Sequence, residues 1–227
     1  MDNPWLAIPL DDYEGHMGSA GVAQLAALAE LFECALQRTR PESVAILGVA
    51  GGNGLDRISP DVTTRVCGVD INPLYLEAVR RRYGSLPGLE LHCVDLARQA
   101  LDLRPVRLVH AALIFEHAGL DGCLRNAVSM AAGGGSLSVV LQMPSAQAPE
   151  VGASPYPSVQ ALSGDFHLID PAHLRGALAG HGFLQTWETQ RPLPGGKAFW
   201  MGIFDGPPNG PGARTLQICQ DMEDLPG

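Results

Sequence analysis

The sequence predicts an α/β protein in which a mostly parallel sheet ends in an antiparallel hairpin. Short apolar runs alternate along the chain with amphipathic segments, which is the order of strands and helices in a parallel sheet. Near the C-terminus, two strand patterns flank "PLPGG" (192–196), a loop of hairpin type. The 227 residues, 46% hydrophobic and 17% charged, have the composition of one globular domain of ordinary size.

The predicted elements follow one another in a regular order. An amphipathic helix is predicted within residues 17–38, where apolar side chains recur at steps of three and four. The apolar run 44–47 is typical of a buried strand. Further strands are predicted over residues 64–70, 89–95, 107–113, 136–143, 183–190 and 197–204.

Helix starts are indicated by capping residues. Asn72 before a proline predicts a helix that runs to Tyr83, and Asp170 before Pro171 predicts the last helix. Asp121 is expected to cap a third helix that stops before the glycines 133–135. We divide the chain into an N-terminal segment with a cap helix, a main α/β domain and a Pro/Gly-rich tail, with the bounds 1–41, 42–205 and 206–227.

Charge disfavours nucleic acid as a macromolecular partner. The net charge is −9 and the single lysine is Lys197, whereas binding to a phosphate backbone needs clustered cations. The arginines 80–82 are expected on a solvated helix face. No apolar run approaches the length of a membrane span, so we expect no membrane partner either.

Cysteine usage indicates neither a disulfide framework nor a metal site. The five cysteines are odd in number, widely scattered and never arranged as C-x-x-C. The first twenty residues carry acidic groups where a signal peptide needs basic ones. We therefore expect a protein of a reducing compartment, the cytoplasm.

A cluster of glycines follows the first predicted strand in "VAILGVAGGNGLD" (44–56). Ligands of open parallel sheets bind at the carboxyl ends of the strands, and glycines there let ligand atoms approach the backbone. A nicotinamide fingerprint fails because Arg57 occupies its last glycine position, and a P-loop fails because its lysine is missing. A tight turn without a ligand is the structural alternative.

The stretch "GVAGGNG" (48–54) instead resembles the acidic-x-G-x-G-x-G motif of the class I S-adenosylmethionine-dependent methyltransferases. Gly52 and Gly54 match the last two glycines, and Ala50 stands in place of the first. Four later stretches resemble the next motifs of that family in the same order. They are "GVDINPLYLEAVRRRY" (68–83), "LHCVDLA" (91–97), "LVHAALIFEH" (108–117) and "GGGSLSVVLQMP" (133–144). The N-terminal "DYEGHMG" (12–18) also resembles some bacterial members.

This resemblance covers about residues 42–204 and implies a Rossmann-like fold, with a seven-stranded, mostly parallel sheet and an antiparallel last strand. It implies S-adenosylmethionine as the cofactor and S-adenosylhomocysteine as its product. Asp70 would bind the ribose hydroxyls and Asp95 the adenine amino group. The implied cofactor-binding residues are Gly48, Ala50, Gly51, Gly52, Asn53, Gly54, Asp70, Ile71, Asp95, Leu96 and Ala112.

One position departs from the family motif. Gly48 occupies the place of the acid that helps to hold the amino group of the methionine moiety. We expect backbone carbonyls of the glycine loop, or an acid of the N-terminal segment such as Asp12 or Glu14, to replace it.

Other candidates lie outside the glycine loop. Glu116 and His117 are catalytic candidates because an imidazole titrates near neutral pH, although such a pair also shapes the loop after the fourth strand. A lid is expected from the N-terminal segment and substrate contacts from the long connection 145–167. The lid candidates are Tyr13, His16 and Met17, and the substrate-side candidates are Tyr156 and His167.

The expected function is in-line methyl transfer to a small-molecule acceptor. A sulfonium is intrinsically reactive, so the protein has to position the acceptor and exclude water, without a metal or a covalent nucleophile. Gly48 leaves open an S-adenosylmethionine-binding protein without transferase activity. A nicotinamide oxidoreductase is a third alternative, which lacks the full glycine fingerprint and a Tyr-x-x-x-Lys pair. From the sequence, replacing Asp70 by alanine is expected to weaken cofactor binding and leave the fold intact.

Overall fold

The computed structural model describes residues 3–146, 154–164 and 166–208. Strands in this part of the chain are β1 (Ser43–Leu47), β2 (Arg65–Asp70), β3 (Leu89–Cys93), β4 (Val106–Ala112), β5 (Ala131–Gln142), β6 (Leu184–Pro192) and β7 (Ala198–Asp205). They form one sheet in the order β3-β2-β1-β4-β5-β7-β6. All neighbours from β3 to β5 are parallel, and β7 runs antiparallel between β5 and β6. The predicted fold class is thereby confirmed.

Helices pack on both faces of this sheet. They are α1 (Leu10–Gly18), α2 (Gln24–Thr39), α3 (Pro73–Tyr83), α4 (Phe115–Ala118), α5 (Leu120–Met130), α6 (Pro157–Gln160) and α7 (Pro171–Gly180). Side chains of β1 alternate between the two layers, since Ile46 packs with α2 and α3 whereas Leu47 packs with α5 and α7. Within the described residues, every helix is too short or too polar to cross a membrane.

Two predicted helix caps are confirmed. The Asn72 side chain accepts a hydrogen bond of 3.0 Å from the backbone N–H of Leu74 at the start of α3. Asp170 accepts one of 2.8 Å from Ala172 at the start of α7. These side chains satisfy N–H groups that have no partner inside the helix.

Three predicted boundaries are wrong. The predicted helix 17–38 is divided, because the Ser19 N–H and hydroxyl both donate to the His16 carbonyl and end α1, and α2 begins only at Gln24. Helix α5 begins at Leu120, so Asp121 lies in its first turn and does not cap it.

The third error concerns the glycines 133–135, which were expected to separate a helix from a strand. They lie inside β5, opposite an irregularity of β4 between Val106 and Leu108. The Arg107 guanidinium donates to the carbonyls of Gly133 and Gly134 at 2.8 and 3.2 Å. The side chain of a neighbouring strand therefore holds this stretch in the sheet, which the local sequence does not reveal.

The order of the strands places a crevice at one edge of the sheet. The chain connects β1 to β2 and β3 on one side, and β4 continues the sheet on the other side of β1. Strand order thus reverses between β1 and β4, the point where open α/β sheets bind their ligands. The predicted tail lies outside the described residues from residue 209 onward, as do residues 147–153 of the long connection.

Candidate active site

A cavity runs along the carboxyl ends of the five parallel-paired strands β1 to β5. Each strand contributes at least one residue to its lining, at or just beyond the strand end. These residues are Gly48 for β1, Asp70 for β2, Val94 for β3, Ala112 for β4 and Gln142 for β5. The cavity therefore crosses the point between β1 and β4 at which the strand order reverses, and it extends to both sides of that point.

Asp70 connects the glycine loop to the start of α3. Its Oδ2 accepts a hydrogen bond of 2.8 Å from the Ala50 N–H, and its Oδ1 accepts one of 2.9 Å from the Asn72 N–H. Only 7% of the residue is exposed. Burial raises the pKa of this carboxyl above its ordinary value, and the backbone donors oppose that shift. Asp70 thus has a structural task in addition to the ribose contact that the resemblance implies.

The glycine loop lines the cavity only in part. Gly48 lines the cavity in a left-handed conformation with φ of +70°, and Ala50 lines it with φ of +46°. A Cβ atom on Gly51 would collide with the ion pair of Glu14 and Arg82. The remaining predicted loop residues, Gly52, Asn53 and Gly54, also lie outside the lining.

The acids proposed to replace the missing one at Gly48 have other partners. Glu14 forms an ion pair with Arg82, whose Nη1 also donates to the Gly51 carbonyl at 3.0 Å. Asp12 accepts a hydrogen bond of 2.6 Å from the Ser158 hydroxyl. Neither acid lines the cavity. The arginines 80–82 are exposed, as expected, and Arg82 in addition fixes α1 against the glycine loop.

The remaining predicted cofactor contacts lie along the wall formed by β2, β3 and β4. Ile71, Asp95, Leu96 and Ala112 all line the cavity. The Asp95 carboxylate also accepts a hydrogen bond of 3.0 Å from the Ala97 N–H, so it shapes its own turn as well.

The N-terminal segment forms a roof over the cavity. Tyr13, His16 and Met17, the predicted lid residues, line it together with Trp5. The Trp5 ring meets the Tyr13 ring edge to face with centroids 5.5 Å apart. The roof is fastened to α3, because the Asn72 amide donates to the Trp5 carbonyl at 2.9 Å.

The connection after β5 completes this roof. Val159, Leu162 and Phe166 line the cavity, and the first two pack on Ile8. Tyr156, a predicted substrate contact, packs against α1 and lies outside the lining. The length of this connection predicted that it lies near the site, but the aromatic residue that lines the cavity is Phe166 and not Tyr156.

The two catalytic candidates lie in different surroundings. His117 lines the cavity between Trp5 and Phe166, whose ring centroids are 4.8 and 5.0 Å away. Burial, with a smaller contribution from His167, lowers the pKa of His117 to about 4. Its Nδ1 is buried and has no hydrogen-bond partner among the described residues. At neutral pH it is therefore an uncharged and weakly basic imidazole.

Glu116 lies behind the cavity wall. It is 1% exposed, and its Oε1 accepts a hydrogen bond of 2.8 Å from the Gln142 N–H at the end of β5. Burial raises the pKa of this carboxyl to about 7. His167, predicted on the substrate side, is exposed. Its backbone N–H donates to the backbone carbonyl of Glu116 at 2.8 Å. These two residues hold the loop after β4.

Solved structures share this architecture, whereas no protein-family model and no curated protein sequence matches the chain. The N-methyltransferase NodS from Bradyrhizobium japonicum WM9, in complex with S-adenosylhomocysteine, superposes with a TM-score of 0.64 at 12% identity, covering 91% of this chain and 100% of NodS. Magnesium protoporphyrin IX methyltransferase ChlM from Synechocystis PCC 6803 superposes with a TM-score of 0.62 at 13% identity, covering 86% and 93%. This chain has the class I methyltransferase fold.

The methyltransferase fold does not by itself specify a reaction. SpnF, a [4+2]-cyclase, superposes with a TM-score of 0.61 at 13% identity, covering 80% of this chain and 82% of SpnF. The chemistry has to be argued from the residues of the cavity.

The far end of the cavity contains polar residues that sequence reasoning did not assign to the site. Gln24, Gln142 and Lys197 line it beside His16. The Gln24 amide donates to the Gln142 amide oxygen at 3.4 Å, across 118 positions of the chain. A single lysine in an acidic chain is a candidate functional residue, but no local pattern in the sequence indicated that Lys197 lies at the cavity.

A second cluster of ligand-like side chains lies away from this cavity. Atoms of Cys67, Glu90 and His92 on β2 and β3 lie within 4.8 Å of one another. Arg65 donates to both Glu90 oxygens, at 2.8 and 3.0 Å, and lowers the pKa of that carboxyl to about 2. The carboxylate is therefore neutralised by an arginine, and we assign no metal to this cluster.

Proposed function

We propose that the protein binds S-adenosylmethionine and transfers its methyl group to a small-molecule acceptor. The observation that carries the proposal is one roofed cavity that spans the ends of five adjacent strands, with Asp70 at the end of β2. Cofactors bound to NodS and ChlM support the choice of ligand. The glycine loop and Asp70 would hold the ribose and the methionine moiety, and Asp95 would hold the adenine.

The chain's contribution to the reaction is positioning and the exclusion of water. When bound, S-adenosylmethionine supplies a methyl carbon that bonds to a lone pair of the acceptor, while the electrons of the broken carbon–sulfur bond return to the sulfur. Trp5 and Phe166 close the cavity over the loop after β4, where the acceptor would lie. Such enclosure holds the reacting atoms in line and removes competing water.

His117 would contact the acceptor, and Glu116 would act as a positioning residue for the loop after β4. The Nδ1 of His117 has no hydrogen-bond partner among the described residues, so a neutral imidazole can form a hydrogen bond with a polar group of the methyl acceptor. Its pKa of about 4 makes it a weak general base at neutral pH. We therefore propose that it orients the acceptor, and that the acceptor loses its proton to solvent or to a buffer base.

Calorimetric titration with S-adenosylmethionine and S-adenosylhomocysteine tests the proposal directly. We expect micromolar binding of both, and formation of S-adenosylhomocysteine from S-adenosylmethionine when a panel of small acceptors is supplied. The absence of any binding would overturn the proposal. A protein that binds both ligands and turns over with none of the acceptors would favour the alternative function, an S-adenosylmethionine-binding protein without transferase activity, for which Gly48 is the motivating residue.

The roof makes a separate prediction at Trp5. Trp5→Ala removes two edge-to-face ring contacts, each worth about 0.5–1.5 kcal/mol. We expect S-adenosylhomocysteine to bind roughly tenfold more weakly, because the ligand would then have to order a looser roof. Leu6→Ala is the matched control, since Leu6 belongs to the same short helical turn and is 47% exposed. Equal affinities of the two variants would show that Trp5 does not cover the cofactor.

A further inference from the structure

The two ends of the cavity differ in charge. Asp70 and Asp95 lie at the ends of β2 and β3, whereas Lys197 lies at the opposite end, directly before β7. The described lining contains no arginine, and Lys197 is the single lysine of the chain. A protein with a net charge of −9 thus places its lysine at this cavity.

The position of Lys197 is fixed by the hairpin. The Leu193 N–H donates to the Lys197 carbonyl at 2.8 Å, which closes the loop between β6 and β7. The next residue is fixed to the end of β5, because the Met143 N–H donates to the Ala198 carbonyl at 2.9 Å. The lysine is therefore held beside Gln142, the last residue of β5.

His16 provides an independent indication that this end of the cavity binds a polar group. It is 5% exposed and lines the cavity, and its Nδ1 is buried without a hydrogen-bond partner among the described residues. Burial, and then the charge of Lys197, lower the pKa of His16 below its ordinary value. The lowered pKa favours the neutral imidazole, which is able to donate or accept a hydrogen bond.

This end lies on the acceptor's side of the cavity. Strands in a sheet are about 4.8 Å apart, so the start of β7 is roughly 14 Å from the end of β1, which the proposed cofactor would occupy. Apolar side chains, Met17 and Leu113 among them, also line the cavity; Met17 adjoins His16 in α1, and the Leu113 N–H donates to the Val140 carbonyl of β5 at 3.0 Å. A molecule filling this half needs an apolar body and a negatively charged end.

We propose that Lys197, with His16 and Gln142, binds the carboxylate of an apolar, carboxylate-bearing methyl acceptor. The inference rests on the proposed function, since the cofactor defines which half of the cavity the acceptor occupies. The ammonium group is the cationic partner, and the ring nitrogen of His16 completes the hydrogen bonding of the carboxylate. The methyl group is transferred to a different group of the same acceptor, at the part of the cavity near His117.

Calorimetric titration with acids and their matched amides tests this assignment. The probes are phenylacetate, 3-phenylpropanoate, 4-phenylbutanoate and octanoate, each paired with its primary amide, with and without saturating S-adenosylhomocysteine. The proteins are the wild type, Lys197→Met and Lys197→Arg. Arg125→Met is the matched control, because it removes one positive charge from an exposed position of α5.

We expect at least one acid to bind the wild type tenfold or more tightly than its amide. Lys197→Met should lose that preference and keep its affinity for S-adenosylhomocysteine, whereas Lys197→Arg and Arg125→Met should retain both. Equal binding of every acid and its amide would overturn the inference. So would a tenfold loss of S-adenosylhomocysteine affinity in Lys197→Met, because the lysine would then hold the carboxylate of the cofactor. If the wild type does not bind S-adenosylhomocysteine, the proposed function fails, and the titrations without it still decide the carboxylate preference.

Discussion

Replacing Asp70 by asparagine is expected to weaken S-adenosylmethionine binding ten- to a hundredfold and to destabilise the protein without ligand. Hydrogen bonds to a charged group contribute about 1.5–3 kcal/mol, which sets the expected loss of affinity if Asp70 holds the ribose. The loss of stability has a separate cause. Both carboxylate oxygens accept backbone N–H groups, from Ala50 and Asn72, so an amide would direct its NH2 group at one of these donors.

Calorimetry measures the first effect and thermal or chemical unfolding without ligand measures the second, which we expect to be about 1–3 kcal/mol. Asp61→Asn is the control, because Asp61 is exposed in the turn before β2. Unchanged affinity would show that Asp70 does not contact the cofactor. The sequence predicted an intact fold after Asp70→Ala. Because this carboxylate holds the glycine loop in the structure, we expect that variant to be destabilised as well.

Glu116→Gln is expected to stabilise the protein by an amount that depends on pH. Burial raises the pKa of Glu116 from 4.5 to about 7, so between these values the folded state binds the proton more strongly than the unfolded state. The contribution of Glu116 to stability is therefore complete below pH 4.5 and is lost as the pH rises through about 7. A neutral glutamine avoids this loss, which by its pKa change amounts to on the order of 3 kcal/mol.

Chemical unfolding of both proteins between pH 4.5 and 8.5 checks this prediction. The difference in the free energy of unfolding should be small at pH 4.5 and should reach its maximum above pH 7. His117 lies nearby and is present in both proteins, so its contribution cancels to first order in the difference. Glu42→Gln, at an exposed position, should show no such trend. A difference that is constant across the pH range would contradict the prediction.

Much of the fold was predictable because its signals are local. The apolar run before Gly48 predicted β1, and the Asn72–Pro73 pair predicted the start of α3. The order of strands and helices then limited the topology to a parallel sheet with a terminal hairpin. Local signals failed where a distant residue decided the conformation, as at Gly133, which Arg107 of the neighbouring strand holds in β5.

The cavity was predictable only in the half that follows the glycine loop. Gly48, Ala50, Asp70 and Asp95 lie at the ends of consecutive strands, so their positions in the sequence already place them at one edge of the sheet. Residues 51 to 54 were grouped with them, because a sequence does not show whether a stretch of backbone faces a ligand or a side chain of the same protein. The structure places the Glu14–Arg82 ion pair against Gly51.

By itself, the sequence determined the alternation of strands and helices and the edge of the sheet at which a ligand would bind, because hydrophobic periodicity and capping act over a few residues. Only the tertiary structure decided the other half of the cavity. Trp5, Phe166 and Lys197 come from three segments far apart in the chain, and the packing of the N-terminus on α3 and the pairing of β5 with β7 bring them together. Burial then decided the chemistry. Among the described residues, the Nδ1 atoms of His16 and His117 are buried without a hydrogen-bond partner and the pKa of Glu116 is raised, and both effects arise from surroundings that no local pattern contains.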